Sequence, residues 1–274
     1  VAPEFLRQYS MSGDPADRSK YQIVVLREDD GRGGSKLMHR VFTKGRHVFF
    51  SQPINHFALN HNATKTLLMG GGIGITPLIA MAHELYARKA AFELHYSGRK
   101  RETMGLLEDI SSFPWSDHVT LHISNEGTRA DIHSIMSGYQ IGWNVYACGA
   151  EAYMSAVMDA AQRAGFPEDA RHLEYFSVPE IPDYENSAFT IKLLKSKIEL
   201  TVPANKNAAE VLIENGIPVN LKCSDGLCGV CKCGLVSGEV EHRDFVLSKA
   251  QQKNTIIVCQ SRAANPDGLL ELNL

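Results

Sequence analysis

The chain has no uninterrupted apolar run of about 18 residues, so no membrane-crossing helix is predicted. It has no positive excess: 28 Lys and Arg face 31 Asp and Glu, which excludes the basic footprint of a nucleic-acid binder. Its opening, Val1-Ala2-Pro3-Glu4-Phe5, is no secretory signal. Its 11 histidines show no paired ligand spacing, so they are assigned to the surface or to satisfied core positions. Six cysteines would serve a disulfide framework, but five fall between Cys148 and Cys233, four of them crowded into Cys223 to Cys233. In a chain of 274 residues without a secretory signal, that crowding points to metal chemistry in a reducing, cytoplasmic compartment. The length suits two or three domains.

What is present begins with Gly70-Gly71-Gly72-Ile73-Gly74-Ile75-Thr76-Pro77. A short buried strand is predicted before it, Thr66–Met69, and an amphipathic helix after it, Leu78–Arg88. Thr76 is placed as the helix cap and Pro77 at the first helical position. Amides at a helix start attract anions, and glycines remove the side chains that would hold a diphosphate away. A dinucleotide site is one reading; a turn rich in glycine for its own packing is the other. The turn departs from G-x-G-x-x-G at Ile75. The next predicted strand, Phe92–Tyr96, runs into Ser97-Gly98-Arg99 with no acid to take a ribose. The turn resembles instead the pyridine-nucleotide site of the ferredoxin-reductase superfamily.

From Lys65 onward strands and helices alternate, which implies a parallel sheet with ligands at the carboxyl ends of its strands. Further strands are predicted at Val119–Ile123 and Val145–Ala147, and helices at Glu102–Ser111, Ile132–Met136 and Ala152–Ala164. Ser97, Arg99, Cys148 and Gly149 fall at strand ends. Residues 167–176 are expected to leave the sheet, and the Pro-rich acidic stretch after them reads as a linker.

Ahead of the sheet, strands are predicted at Tyr21–Arg27 and Arg46–Phe50 with a helix at Lys36–Phe42 between them. So few strands close no barrel, and the front half of one is expected to be missing. Arg7-x-Tyr9-Ser10 resembles the flavin motif of the same superfamily. Tyr9 offers a flat face, Ser10 a hydroxyl for the reactive ring edge, and Arg7 with Gly33, Gly34 and Ser35 a nest for one terminal phosphate. A single phosphate held this way suits FMN.

After the linker, a hairpin is predicted over Phe189–Leu194 and Lys197–Val202, then a helix over Asn207–Glu214. Cys223, Cys228 and Cys231, with Cys259 far downstream, match plant-type [2Fe–2S] ligand spacing. A four-cysteine zinc site is the alternative, although zinc sites pair two short knuckles and only one is present. Cys233 breaks the spacing and is assigned to the core. Ser248 and Gln251 read as a capping box.

In this order the motifs resemble the phthalate dioxygenase reductase family, which includes the reductase components of vanillate demethylase and of carnitine or caffeine monooxygenase. Gly31-Arg32-Gly33-Gly34-Ser35 and His242-Arg243-Asp244 strengthen the likeness. It implies a multidomain α+β and α/β fold: a partial Greek-key flavin-binding β-barrel over residues 1–60, a parallel-sheet NAD-binding domain over 65–177, a linker over 178–187 and a β-grasp ferredoxin domain over 188–274. It implies flavin contacts by Val24, Leu26 and Phe176, catalytic positions at Ser10 and Cys148, and a nucleotide site at Gly70, Gly71, Gly72, Gly74, Thr76, Pro77, Ser97, Arg99, Cys148 and Gly149. Cys148 is not expected to be a redox thiol. Electrons would pass from NADH through FMN and the cluster to a Rieske-type oxygenase, the chain itself being a monomer. Arg99-Lys100-Arg101 keeps NADPH open as the less favoured donor. A non-Rieske hydroxylase as acceptor, or a truncated module without flavin, are the alternatives. Ala150 stands where the family has Pro after Cys-Gly.

Overall fold

The computed structural model describes residues 7–31, 33–178 and 184–274. The readings that touch residues 1–6, Arg32 and the 179–183 part of the linker lie outside the described residues. The chain divides into two compact units, Val1–Glu174 and Tyr175–Leu274.

The first unit opens with a helix, α1 (Gly34–Val41), entered through Gly33 at φ 88°. The strands expected at Tyr21–Arg27 and Arg46–Phe50 do not form; an isolated antiparallel bridge, Met11 to Ile23, lies in that region. A strand exists by pairing, and these segments find no ladder among the described residues. Leu26, Phe49 and Phe50 are accordingly exposed.

The sheet begins at β1 (Lys65–Gly71), whose interior is fully buried because both faces are covered. A single 3₁₀ turn, Gly72–Gly74, winds directly into α2 (Ile75–Ala87). Then come β2 (Phe92–Gly98), α3 (Leu107–Ser112), β3 (Val119–Ile123), α4 (Ile132–Met136), β4 (Trp143–Cys148), α5 (Glu151–Arg163) and β5 (Arg171–Glu174). All pairings are parallel, in the order β3-β2-β1-β4-β5. The expected exit from the sheet after Pro167 is therefore wrong. Arg171–Glu174 pairs with β4 as an edge strand, and its four half-buried residues lack the alternation that marks a strand.

The helix expected over Glu102–Ser111 is also broken. A 3₁₀ turn, Arg101–Thr103, precedes α3, and Leu106 enters that helix at φ 63°. Tyr96 Oη donates to the Gly105 carbonyl at 3.2 Å, and Met104 packs where a Cβ on Gly98 would lie, so the segment follows the end of β2 instead of coiling. Trp115 is completely buried beneath α2 and donates from Nε1 to His83 Nδ1 at 3.1 Å. Of the histidines, His95 lies 3.0 Å from His122 on β3.

The second unit contains β6 (Phe189–Leu193), β7 (Ile198–Val202), α6 (Ala208–Glu214), β8 (Lys232–Ser237), β9 (Val240–Glu241), α7 (Lys249–Gln252), β10 (Thr255–Ile257), β11 (Arg262–Ala263) and β12 (Leu269–Leu272). β6 and β7 form the expected antiparallel hairpin. Five strands make a mixed sheet, β10-β8-β12-β6-β7, parallel only between β12 and β6. The apolar face of α6 buries Ala208, Ala209, Val211 and Leu212 against it. Asn207 and Glu210 form a capping box at its start, and Ser248 with Gln251 forms the expected one at α7.

Arg262 fastens this unit. It is 4% exposed, and its guanidinium donates to the carbonyls of Lys206 (2.8 Å), Ser187 (2.8 Å) and Pro203 (3.1 Å) while lying over the Phe189 ring. Arg262→Ala leaves three carbonyls without their charged donor. A loss of about 3 kcal/mol is expected, read as a lowered unfolding temperature of the C-terminal unit by calorimetry; an unchanged transition would show that water replaces the arginine at no cost.

Candidate functional site

The end of β1 is built for close approach. A Cβ on Gly74 would stand 2.2 Å from the Cys148 carbonyl oxygen, and one on Gly149 would stand 2.9 Å from Gly71 Cα. Neither position admits a side chain, so the start of α2 is pressed against the end of β4. A Cβ on Gly70 would meet Ile75, and one on Gly71 would meet the Tyr153 ring at 3.0 Å. Gly72 differs: its φ of 54° favours glycine, and nothing lies within 4 Å of where its Cβ would be. The turn is thus dense on its protein side and open at Gly72. A diphosphate suits that opening beside the start of α2, whose first amides have no helical partner.

Thr76 does not cap the helix. The 3₁₀ turn starts the winding earlier, α2 begins at Ile75, and the Thr76 hydroxyl donates to the Ile73 carbonyl at 3.0 Å. Pro77 is therefore the third helical residue, still within the turn whose N–H groups have no helical partner. Ser97 and Arg99 lie at the end of β2; Ser97 Oγ donates to Tyr153 Oη at 3.4 Å. Tyr153, which covers Gly71 from α5, carries no sequence signal of its own.

The order β2-β1-β4 reverses the winding direction between β1 and β4, where open α/β sheets bind ligands. Cys148 ends β4 at this point and is 1% exposed. Burial, with Glu174 beside it, pushes its thiol well above the ordinary range, so it is a neutral hydrophobe there. Glu174 stands opposite Cys148 on β5, and Ser10 Oγ donates to its Oε2 at 2.8 Å. Burial raises the Glu174 carboxyl above its ordinary value, against the opposing pull of the Ser10 hydrogen bond. The fold thus joins Ser10, Cys148 and Glu174 from three separate segments. Glu174 was missed because the strand that carries it was missed.

The flavin candidates also converge in part. Arg7 Nε lies 3.2 Å from where a Cβ on Gly34 would sit, so the bare backbone of Gly33-Gly34 accommodates the arginine. Ser35 Oγ accepts from the Glu28 amide at 3.1 Å, and His39 Nε2 lies 2.8 Å from the Val25 carbonyl, which holds α1 beside residues 25–28. An open cavity of about 580 Å³ adjoins Gly33, lined by Arg27, Lys36, Leu37, His39 and Arg40. The cationic Arg27, Lys36 and Arg40 among them suit a phosphate and were not singled out in the sequence. Tyr9 is half-buried, and burial raises its hydroxyl pKa. Val24 is half-buried and Leu26 exposed. Phe176 belongs to the second unit and is 44% exposed.

In the second unit the cysteines meet two by two. Cys223 and Cys228 Sγ are 3.2 Å apart. Cys231 and Cys259 share a hydrogen bond that lowers the Cys231 thiol to about 7 and pushes Cys259 up. Among the described residues no three His, Cys, Asp or Glu side chains converge on one metal ion. A single zinc needs four ligands at one point, whereas two pairs suit a two-iron cluster. Backbone donors face these sulfurs: the Asp225 amide lies 3.4 Å from Cys223 Sγ, and the Gly226 amide bonds Cys259. A Cβ on Gly226, at φ 73°, would stand 3.1 Å from Gln260 Cγ and 3.3 Å from the Arg243 carbonyl oxygen and Asp244 Cα, a tight fit in a backbone conformation that favours glycine. Cys233 lies on β8 opposite Ile256, in the core and apart from these pairs.

Known proteins resemble the chain along nearly its whole length. Residues 191–264 match the model of the 2Fe-2S iron-sulfur cluster binding domain, and residues 47–170 that of the N-terminal domain of dimethylamine monooxygenase subunit DmmA-like proteins. The reductase subunit of tert-butanol monooxygenase / tert-amyl alcohol desaturase from Aquincola tertiaricarbonis is 37% identical over 97% of this chain and 82% of that protein. Vanillate O-demethylase oxidoreductase from Acinetobacter baylyi is 33% identical over 97% of this chain and 84% of its own. The solved phthalate dioxygenase reductase, described as a modular structure for electron transfer from pyridine nucleotides to [2Fe-2S], superposes with a TM-score of 0.61 at 34% identity, covering 98% of this chain and 83% of that one. An intact type IV self-sufficient cytochrome P450 monooxygenase superposes with a TM-score of 0.85 at 35% identity; this chain covers 35% of it.

Glu174 gives a test by pH. A carboxyl whose folded pKa is raised contributes stability that is fully present below its unfolded value of about 4.5 and is lost as pH rises through the folded value. The wild type is therefore expected to lose stability relative to Glu174→Gln as pH rises from about 4 to 7. Parallel unfolding curves for the two proteins across that window would contradict the buried carboxyl.

Proposed function

The chain belongs to the phthalate dioxygenase reductase family, and we propose that it passes electrons from NADH through FMN to a [2Fe–2S] cluster and on to an oxygenase. The observation that carries this reading is the pairing of Cys223 with Cys228 and of Cys231 with Cys259, in a chain whose other unit ends β1 in an open glycine turn. When bound, the flavin converts a two-electron hydride donor into a source of single electrons for the cluster.

The chain's own residues supply placement. Gly72 leaves room for the nucleotide diphosphate, and the start of α2 offers its amides. Arg7, Gly33, Gly34 and Ser35, with Arg27, Lys36 and Arg40 around the cavity, hold the flavin phosphate. Tyr9, Val24 and Leu26 supply apolar contact to the flavin. Ser10, held by Glu174, presents its hydroxyl to the ring edge, and Cys148 excludes water beside it. The thiolates of Cys223, Cys228, Cys231 and Cys259 hold the cluster, with the Asp225 and Gly226 amides offsetting their charge. Residues 1–60 are assigned to the flavin, 65–177 to the nucleotide, 178–187 to the linker and 188–274 to the cluster.

A Rieske-type oxygenase is the first acceptor to consider. A cytochrome P450 is the second, because the superposition on the self-sufficient P450 protein covers 98% of this chain. No helix of the described residues is long and apolar enough to cross a membrane. The six cysteines form no disulfide, which supports a cytoplasmic location.

Cys228→Ser is expected to abolish or sharply weaken the visible absorbance of the cluster while NADH-driven ferricyanide reduction persists and cytochrome c reduction collapses. Cys233→Ala is expected to keep the cluster spectrum. Full cluster absorbance in Cys228→Ser with loss in Cys233→Ala would overturn the ligand set.

A further inference from the structure

Two histidines meet inside the first unit, near the carboxyl edge of its sheet. His95 Nδ1 on β2 lies 3.0 Å from His122 Nε2 on β3, and His95 is 8% exposed. The row continues at both ends. His95 Nε2 faces Glu93 Oε2 at 3.5 Å, and the Thr128 carbonyl takes the other hydrogen bond of the His122 ring. Four groups thus stand in line with three gaps between them: a carboxylate, two imidazoles and a carbonyl.

Each gap needs one proton, because a hydrogen bond needs a donor. The end groups bring none: a carboxylate and a carbonyl only accept. Two neutral imidazoles bring one N–H each, so the row is one proton short. The shortage falls at a definite place. His122 gives its N–H to Thr128, so its Nε2 is bare and accepts from His95 Nδ1. His95 Nε2 is then bare as well, and it meets the Glu93 carboxylate with no proton between them. That gap is the long one, and His95 Nε2 is a buried atom without a hydrogen-bond partner. Burial holds His95 below its ordinary value, with His122 and Lys65 acting in the same sense and Glu93 against them. Burial lowers His122 too, against the pull of the Thr128 carbonyl. Lys65, on β1, is itself bonded to Glu93 Oε1 at 2.6 Å. Tyr153, which α5 brings to Ser97, is pushed up to about 12 by burial and stays neutral. The position at His95 Nε2 is therefore empty at neutral pH and open to a proton below about pH 6.5.

The strand register sets this row level with the glycine turn. Gly71 pairs with Ser97, and Ser97 pairs with His122. Two strand spacings, about 10 Å, therefore separate His122 from Gly71. Across that distance inside a protein, the attraction between two unit charges changes an equilibrium constant on the order of tenfold. We propose that His95 and His122 form a one-proton site linked to nucleotide binding: the pair takes up a proton at His95 Nε2 when a dinucleotide diphosphate occupies the turn. This rests on the reading of Gly70–Pro77 as the nucleotide site. The proton comes from solvent, and the pair becomes a monocation with all three gaps filled. Linkage is reciprocal, so whatever the diphosphate adds to proton affinity the proton adds to nucleotide affinity. The dinucleotide is therefore held more tightly as pH falls below about 6.5.

The test is calorimetric binding of NAD⁺ to the full chain between about pH 5.5 and 7.5, in paired buffers of different ionisation enthalpy, which counts protons without turnover. The wild type is expected to take up protons on binding near pH 6 and to gain about fivefold in affinity from the top of that range to the bottom. His95→Gln and His122→Gln each remove one ring from the row. Both are expected to bind NAD⁺ without that uptake and with an affinity flat in pH. NMR of the wild-type imidazoles reads the same event without a variant: NAD⁺ is expected to raise the pH at which His95 titrates. Gly72→Asp is the control for the site. Asp tolerates positive φ, and its charge opposes the diphosphate, so binding is expected to fall. If Gly72→Asp lowers binding while the wild type takes up no proton, the proposal fails and the nucleotide site stands. If proton uptake persists in both glutamine variants, the proton goes elsewhere and the proposal fails in the same way. If Gly72→Asp binds NAD⁺ as the wild type does, the nucleotide site itself is wrong, and the proposal falls with it.

Discussion

The first unit depends on two glycines that cannot be anything else. Gly74 lies against the Cys148 carbonyl, and Gly149 lies against Gly71. This contact brings the start of α2 to the end of β4 at the point where the sheet reverses its winding. Two consequences follow. Gly72 is left as the exposed position of the turn, with open space in front of it. β4 is also fixed against β5, where Glu174, opposite Cys148, reaches Ser10. A methyl group at either glycine would separate these elements, and the glycine turn would lose its relation to the Ser10 hydroxyl.

The second unit solves a different problem. Its sheet and α6 form a small core, and Cys223, Cys228 and Cys231 lie on a loop outside the regular elements. Such a loop needs ties. Gln260 Nε2 donates to the Ser224 carbonyl at 2.6 Å, the Phe245 amide donates to the Gly226 carbonyl at 3.2 Å, and Ser261 Oγ accepts from the Arg243 amide at 3.2 Å. The Asp244 carboxylate accepts from the amides of Val246 and Leu247. These bonds join the Cys223–Cys231 loop to the segments before and after Cys259, so the two thiol pairs are held by a shared frame.

Much of this was legible in the sequence, and the reasons differ by element. The glycine turn, the flanking strands and the four-cysteine spacing were readable because each constrains residue type at fixed intervals. β3, α4 and the hairpin were readable by periodicity, nearly to the residue. β5 was not, because an edge strand of four half-buried residues has no pattern. Glu174 went unseen with it. The strands at 21–27 and 46–50 erred in the other direction: their residue types favour strands, but pairing decides, and the described residues pair only at Met11 and Ile23. Thr76 had the right residue type for a cap and lost the position when the preceding glycines began to coil.

The central claim is that reducing equivalents from a pyridine nucleotide reach the cysteine-held cluster within this one chain. It is tested most directly by anaerobic titration of the flavin-replete, cluster-loaded protein with NADH, followed by low-temperature EPR and compared with reduction by dithionite. The account predicts that NADH elicits the reduced-cluster signal at an intensity approaching that given by dithionite. A cluster signal that dithionite produces and NADH does not would contradict it.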